Sequence, residues 1–240
     1  MFRIDGRAND EARKITLTPG YLLFPEGSAL IEMGQTRVLC TVTVEDRVPQ
    51  FQRGTGKGWV TAEYGMLPRS TLTRTPRELE RGQASGRSSE IQRLIGRSLR
   101  AVVDLGSLRE RTFTVDCDVL QADGGTRTAA ITGAYVGLYQ AFLTLVRKNL
   151  LDHIPLRGAV GAISVGIVDG QQFLDLCYEE DYRADVDFNV VMNDQGEYIE
   201  VQGTAEGNPF NKRSMDSLLE LGRQGISYLH AAQQQAIAKL

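Results

Sequence analysis

Residues 129–146 are apolar on nearly every face of a helix. A helix of that kind is stable only inside a core, so the rest of the chain has to enclose it. The run before it, Thr112–Gln121, alternates apolar and polar side chains as a half-buried strand does. Between the two lies Ala122-Asp123-Gly124-Gly125-Thr126-Arg127-Thr128. The chain therefore reads strand, Gly-Gly turn, helix, with the helix over 126–148. Free backbone N–H groups and the positive end of the helix dipole make such a turn an anion site. Arg127 adds a forked donor suited to phosphate. The plainer reading stays open, because Gly-Gly turns are common and Thr is a frequent N-cap. No Gly-Lys-Ser/Thr follows the glycines, which excludes a Walker A loop.

The 240 residues are 42% hydrophobic and 24% charged, the profile of a soluble globular chain. No apolar run is expected to match the roughly 20 residues of a membrane span, and no apolar leader follows Met1. A cytoplasmic protein without a membrane partner is the expectation. Cys40, Cys117 and Cys177 sit in apolar strand-like runs, none as Cys-x-x-Cys, so buried reduced thiols are expected. Two distant histidines, His153 and His230, argue against a His-based triad or a zinc site.

The net charge of −3 hides an asymmetry. Between Arg69 and Arg100 there are eight Arg against three Glu; between Asp175 and Glu200, nine acids against one Arg. The basic arm suggests a polyanion partner and the acidic one a cation site, each with a solvated face as the plain alternative. Within the basic arm, the polar aperiodic loop carrying Arg69, Arg74 and Arg77 is expected to be exposed. A helix over 88–103 follows, with Ile91, Leu94, Ile95, Leu99 and Val102 as its apolar stripe and Arg93, Arg97 and Arg100 opposite. By the same geometry Arg87 projects near the apolar side, where it needs an anionic partner: an Asp elsewhere in the chain, or a bound phosphate.

Further strands are expected over 14–17, 28–33, Thr36–Glu45, 59–64, 158–168, 173–177, 186–192 and 198–202, with a closing helix over 212–238. This order implies an α+β fold of two similar β-then-α halves, 1–150 and 151–240, in one compact sheet-and-helix sandwich with sheet on one side and helices on the other. From Asp185 the alternation is strict: Asp185, Asp187 and Asn189 share one strand face. With Asp181 on the preceding turn they offer oxygen ligands to a hard cation such as Mg2+. Protonation of one carboxyl, or merely an acidic turn leading into an amphipathic strand, are the alternatives.

Taken together, Gly124-Gly-Thr-Arg-Thr-Ala-Ala130, Ser85-Gly-Arg-Ser-Ser-Glu-Ile91, Glu179-Glu-Asp-Tyr-Arg-Ala-Asp-Val-Asp-Phe-Asn189, Asp5-Gly-Arg and Gly34-Gln-Thr-Arg-Val-Leu-Cys40 resemble the ribonuclease PH family of phosphorolytic 3′-to-5′ exoribonucleases. The likeness covers essentially the whole chain. It implies that inorganic phosphate attacks the 3′-terminal phosphodiester of RNA and that a nucleoside 5′-diphosphate leaves. It implies phosphate binding by Arg87, Gly125, Thr126 and Arg127, and a metal and acid site at Asp181 and Asp187 with Asp185 secondary. Expected partners are tRNA precursors with 3′ extensions, contacted by Arg69, Arg74, Arg77, Arg93 and Arg97, in a homo-hexamer built as a trimer of dimers. The competing readings are a non-catalytic RNA-binding ring subunit of an exosome-like assembly and a phosphate-binding enzyme of small-molecule metabolism. The density of Arg speaks against the second.

Overall fold

The structure is a computed structural model that describes residues 3–77, 86–206 and 208–240. Ser85 of the Ser85-Gly-Arg motif and Glu78, Glu80 and Arg81 of the basic arm lie outside the described residues.

Alternating burial builds the first sheet. It holds β1 (Ile15–Pro19), β2 (Gly27–Met33), β3 (Thr36–Glu45), β4 (Trp59–Met66) and β5 (Thr112–Gln121), in the order β1-β2-β3-β5-β4. All neighbours are antiparallel except β4 and β5. That parallel pair needs a crossover, and α1 (Gly86–Val102) supplies it. The predicted stripe of α1 is buried. The second sheet, β7-β6-β8-β9, is antiparallel throughout: β6 (Val160–Val168), β7 (Gln171–Leu174), β8 (Val186–Asn193) and β9 (Tyr198–Ala205). Asp169 and Gly170, with φ of 49° and 74°, make the tight turn between β6 and β7. β7 stops at Leu174, short of the expected 177, because Asp175 turns the chain at a φ of 55°.

α2 (Thr126–Arg147) packs on β2 and β3 of the first sheet and on β6 of the second. α4 (Lys212–Ile237) lies on β6 and β8 and reaches β1. The helices therefore form a layer between two sheets, where the sequence reading had a sheet on one side and helices on the other. The physical reason is α2 itself: apolar on nearly every face, it cannot be covered from one side. Its contact with the first sheet is close. A Cβ on Gly133 would come within 2.7 Å of Ile31 Cγ2. By length and composition α2 could cross a membrane, contrary to expectation, but 72% of its most apolar window is buried within the fold, as in a core helix. One apolar core runs through both halves. The connection between them is tied down by Asp104 N–H to Pro155 O (2.9 Å) and Arg157 N–H to Val102 O (2.8 Å). The three cysteines are free and buried.

A short helix, α3 (Tyr178–Arg183), was not expected; the sequence read as an acidic turn there. Glu180 supplies the missing signal, three residues after Cys177, whose backbone N–H it accepts at 3.1 Å.

Candidate active site

A cleft of about 720 Å3 opens between the two halves. Its floor is the Gly-Gly turn, which is held from behind. Thr36 Oγ1–H donates to Gly124 O (2.7 Å) and accepts from Asp123 N–H (2.9 Å). The Arg13 guanidinium donates to the carbonyls of Asp123 and Gly124. Arg13 is itself forked on buried Asp175, at 2.9 and 2.6 Å, and its backbone N–H donates to the same carboxylate at 2.8 Å. With the turn carbonyls pulled backward, the turn amides face forward. Gly124 and Gly125 take left-handed φ values of 74° and 63°, which only glycine adopts without cost. Gly124 has a second reason. A Cβ there would lie 2.6 Å from Leu176 O and 2.8 Å from Tyr178 N, so glycine lets α3 rest directly on the turn.

Gly125 is the N-cap of α2, and the first helical bond runs from Ala129 N–H to Gly125 O. The amides of Thr126, Arg127 and Thr128 thus lack intrahelical acceptors, as every helix start leaves them. Among the described residues no side chain caps them, and the N-cap is Gly125 rather than a Thr. The Thr126 hydroxyl instead meets Tyr64 Oη at 2.8 Å. Arg127 lines the cleft, steadied by Gln202 Oε1 (3.1 Å) and by Glu90 at 3.7 Å. Arg87, at the start of α1, also lines the cleft but is exposed. It does not sit beside the core as helical geometry had suggested; its anionic counterpart is Asp181 across the cleft, whose carboxyl feels its charge.

The facing wall carries the acids. Asp181 on α3 and Asp187 on β8 both line the cleft, with Asn189 and Glu206. Asp181 is exposed to the cleft, but partial desolvation by the cleft wall pushes its carboxyl above the usual carboxylate range, against the pull of Arg87, Arg127 and Arg13. Burial, then the neighbouring charges of Asp181 and Glu206, push Asp187 upward too. α3 is anchored by a buried fork from Arg3 to Glu180, at 2.8 and 2.6 Å. Arg87 and Arg127 on one side therefore face crowded carboxylates on the other.

The remaining predicted residues disperse. Asp185 stands one residue before β8, exposed and outside the cleft lining, so it does not join Asp181 and Asp187. No group of three His, Cys, Asp or Glu ligands occurs among the described residues. Arg69, Arg74 and Arg77 are exposed on the loop after β4; burial holds the Asp118 carboxyl above its usual range, against the pull of Arg77. Arg93 is exposed on α1. Arg97 is forked on Glu200 of β9, at 2.9 and 2.8 Å, and so ties α1 to the second sheet. Arg100 stacks over the Trp59 ring at 4.3 Å and donates to Val60 O. Sequence reasoning missed Arg13, Asp175, Tyr64 and Glu206. Only Thr36, within the Gly34-Gln-Thr-Arg run, was part of a recognised motif.

Two family models match the chain: 3′ exoribonuclease family domain 1 over residues 11–143 and domain 2 over 158–225. Curated relatives named Ribonuclease PH include one from Dehalococcoides mccartyi, 58% identical over 229 residues, 95% of each chain. Another, from Syntrophomonas wolfei, is 57% identical over 233 residues, covering 97% of this chain and 98% of that one. Among solved structures, an Archaeoglobus fulgidus exosome with RNA bound to the active site superposes with a TM-score of 0.83 at 24% identity, covering 96% and 92% of the two chains. Rice Rrp46 does so at 0.79 and 21%, covering 98% and 100%. At these identities the solved structures are alike in fold.

Proposed function

The chain belongs to the RNase PH family of 3′ exoribonucleases, and on that premise we propose that the cleft phosphorolyses the 3′ end of RNA, with tRNA precursors as substrates. The enzyme is a phosphate-dependent 3′-to-5′ exoribonuclease, a tRNA nucleotidyltransferase working in either direction. The carrying observation is the opposition of charge within one cleft: Arg87, Arg127 and the bare amides of α2 against Asp181 and Asp187.

The attacking phosphate and the scissile phosphodiester are both anions, and bringing them together costs Coulomb energy. Arg87, Arg127 and the N-terminus of α2 offset the charge of the first and aim one of its oxygens at the second. The new P–O bond joins that oxygen to the phosphorus of the last nucleotide. The bond from this phosphorus to the 3′-oxygen of the preceding residue breaks. That oxygen departs with a proton supplied by the attacking hydrogen phosphate or by the carboxyl of Asp181 or Asp187, and a nucleoside 5′-diphosphate is released. Phosphate is the nucleophile, so the chain needs no activated Ser, Cys or His.

Asp181 and Asp187 are the residues that would hold a divalent cation. Their oxygen donors and mutual repulsion fit a hard ion such as Mg2+, with the rest of its shell from water and phosphate oxygens. When bound, such an ion neutralises charge at the scissile phosphate and the leaving oxygen. Large apolar side chains left in water at Leu23 and Phe24 support a subunit contact surface; the assembly proposed is a homo-hexamer built as a trimer of dimers.

Incubation with a tRNA carrying a short 3′ extension, with and without phosphate, tests the reading. Phosphate-dependent release of nucleoside diphosphates is expected. Release of monophosphates by water, or binding without release, would overturn it.

A further inference from the structure

The acidic wall of the cleft also carries two aromatic rings that the charge chemistry does not use. Tyr178 and Tyr182 lie four residues apart on α3, on either side of Asp181 in the cleft lining. Residues at that spacing share one helix face, and here their rings stack with centroids 6.3 Å apart and planes inclined by 27°. They are 51% and 79% exposed. Two aromatic faces held parallel in water, at the rim of a site, present a surface suited to a flat π partner. Their support is rigid. α3 is pinned by the Arg3–Glu180 fork and rests on Gly124, whose missing Cβ lets Tyr178 N approach.

We propose that Tyr178 and Tyr182 form the seat for the 3′-terminal nucleobases of the RNA strand. The inference rests on the phosphorolytic reading of the same cleft and adds to it a recognition element. With the attacking phosphate at the Gly-Gly turn and the scissile phosphodiester at the acidic wall, the strand leaves the reacting centre across α3. A base stacked there fixes the position of its own phosphodiester without reading the edge of the base. All four bases have a π-face, so the platform tolerates any sequence, as an enzyme that removes successive nucleotides requires. The tyrosines are positioning residues: they hold the strand and take no part in proton or phosphoryl transfer.

The test uses a short oligoribonucleotide ending in 2-aminopurine, whose fluorescence is quenched on stacking, and a matched oligonucleotide whose last nucleotide is abasic. Replacing Tyr182 by Ala, or both tyrosines by Ala, should raise the RNA KM by roughly 5- to 150-fold, the range expected for one stacked base. The phosphate KM should stay unchanged, and Tyr182→Phe should behave as wild type because the ring alone is required. In the absence of phosphate, quenching should be strong in wild type and in Tyr182→Phe, and lost in the double Ala variant. The abasic end should discriminate against wild type but not against the double variant. Equal quenching in wild type and double variant, or an RNA KM unmoved by loss of both rings, would overturn the platform. A wild-type protein that quenches the probe but releases no nucleoside diphosphate would leave the platform standing and overturn the phosphorolytic reading instead.

Discussion

Asp187 owes its character to its neighbours: half-buried, and crowded by Asp181 and Glu206, its carboxyl titrates above the usual range. Asp187→Asn removes one charge from that crowd without changing shape. Turnover should drop by roughly 100-fold or more, the scale of a missing acid–base or ligand group, while the melting temperature holds or rises slightly. If the ionised pair is the working form, kcat falls as pH drops through these raised values, giving an acid limb above the roughly 4 of a free carboxyl. A rate that instead falls as pH rises through the same range would mark a protonated carboxyl as the working form. Arg87→Ala should raise the phosphate KM about tenfold or more, the worth of a charge-assisted hydrogen bond, and leave tRNA binding nearly intact. Loss of tRNA binding with an unchanged phosphate KM would remove Arg87 from the phosphate site. Behind the turn, Arg13 and Asp175 do another kind of work. Arg13→Ala removes the forked partner of the buried Asp175 carboxylate and leaves it Arg7 at 3.7 Å; it should cost about 3 kcal/mol of stability, the low end for a broken buried pair, measured by urea unfolding. Burial opposes the charge of Asp175, but Arg13 wins and holds its carboxyl below the usual range; Arg3 does the same for Glu180. Their stabilisation is present above the ionisation of the unfolded carboxyls, about 4, and is lost as pH falls through the lower folded values. Arg13→Ala should therefore flatten the acid end of the stability profile.

At the scale of elements, what was legible depended on how local the cause was. Period-2 alternation placed β3 and β5 to the residue, and the buried stripe of α1 was readable from Ile91 to Val102. The Gly-Gly turn and the acids of α3 and β8 were readable as chemistry because charge and spacing are local. α3 was missed because its helix depends on Glu180 bonding back to Cys177 and on the distant Arg3. Arg13 was missed because its partners are 162 residues away at Asp175 and 110 away at Asp123; nothing local marks it. The Glu200 partner of Arg97 was equally hidden, because it lies 103 residues away on β9. The loop with Arg69, Arg74 and Arg77 remains the basic element best placed for RNA, since all three are exposed and the loop follows the cleft-lining Met66. Replacing the three by Ala should weaken tRNA binding and flatten the slope of log affinity against log salt by about 2, at roughly 0.7 for each RNA phosphate that is no longer neutralised. Phosphorolysis of a very short oligonucleotide should suffer less. Equal losses on long and short RNA with an unchanged slope would assign the loop to a subunit interface, seen by light scattering as a smaller particle.

The whole molecule is organised by α2, and this sets how it unfolds. The two family domains meet on it: β2 and β3 cover one side and β6 the other, within a single apolar core. The cleft repeats that plan, with Arg87 and Arg127 from the first half and Asp181 and Asp187 from the second. Neither half can expose α2 without opening the other, so the halves should unfold together, although they match separate family models. Trp59, the only tryptophan, reports on the first half from its place between Phe51 and Arg100. Amide exchange of β6 and β8 reports on the second. In urea both probes should give one midpoint. Phosphate at 100 times its dissociation constant should raise the stability seen by both probes alike, by about 2.7 kcal/mol, because its binding site exists only while α2 is enclosed. Two separated midpoints, or a phosphate effect on the Trp59 signal alone, would mean that the halves are stable independently and that the single core is an interface between two domains.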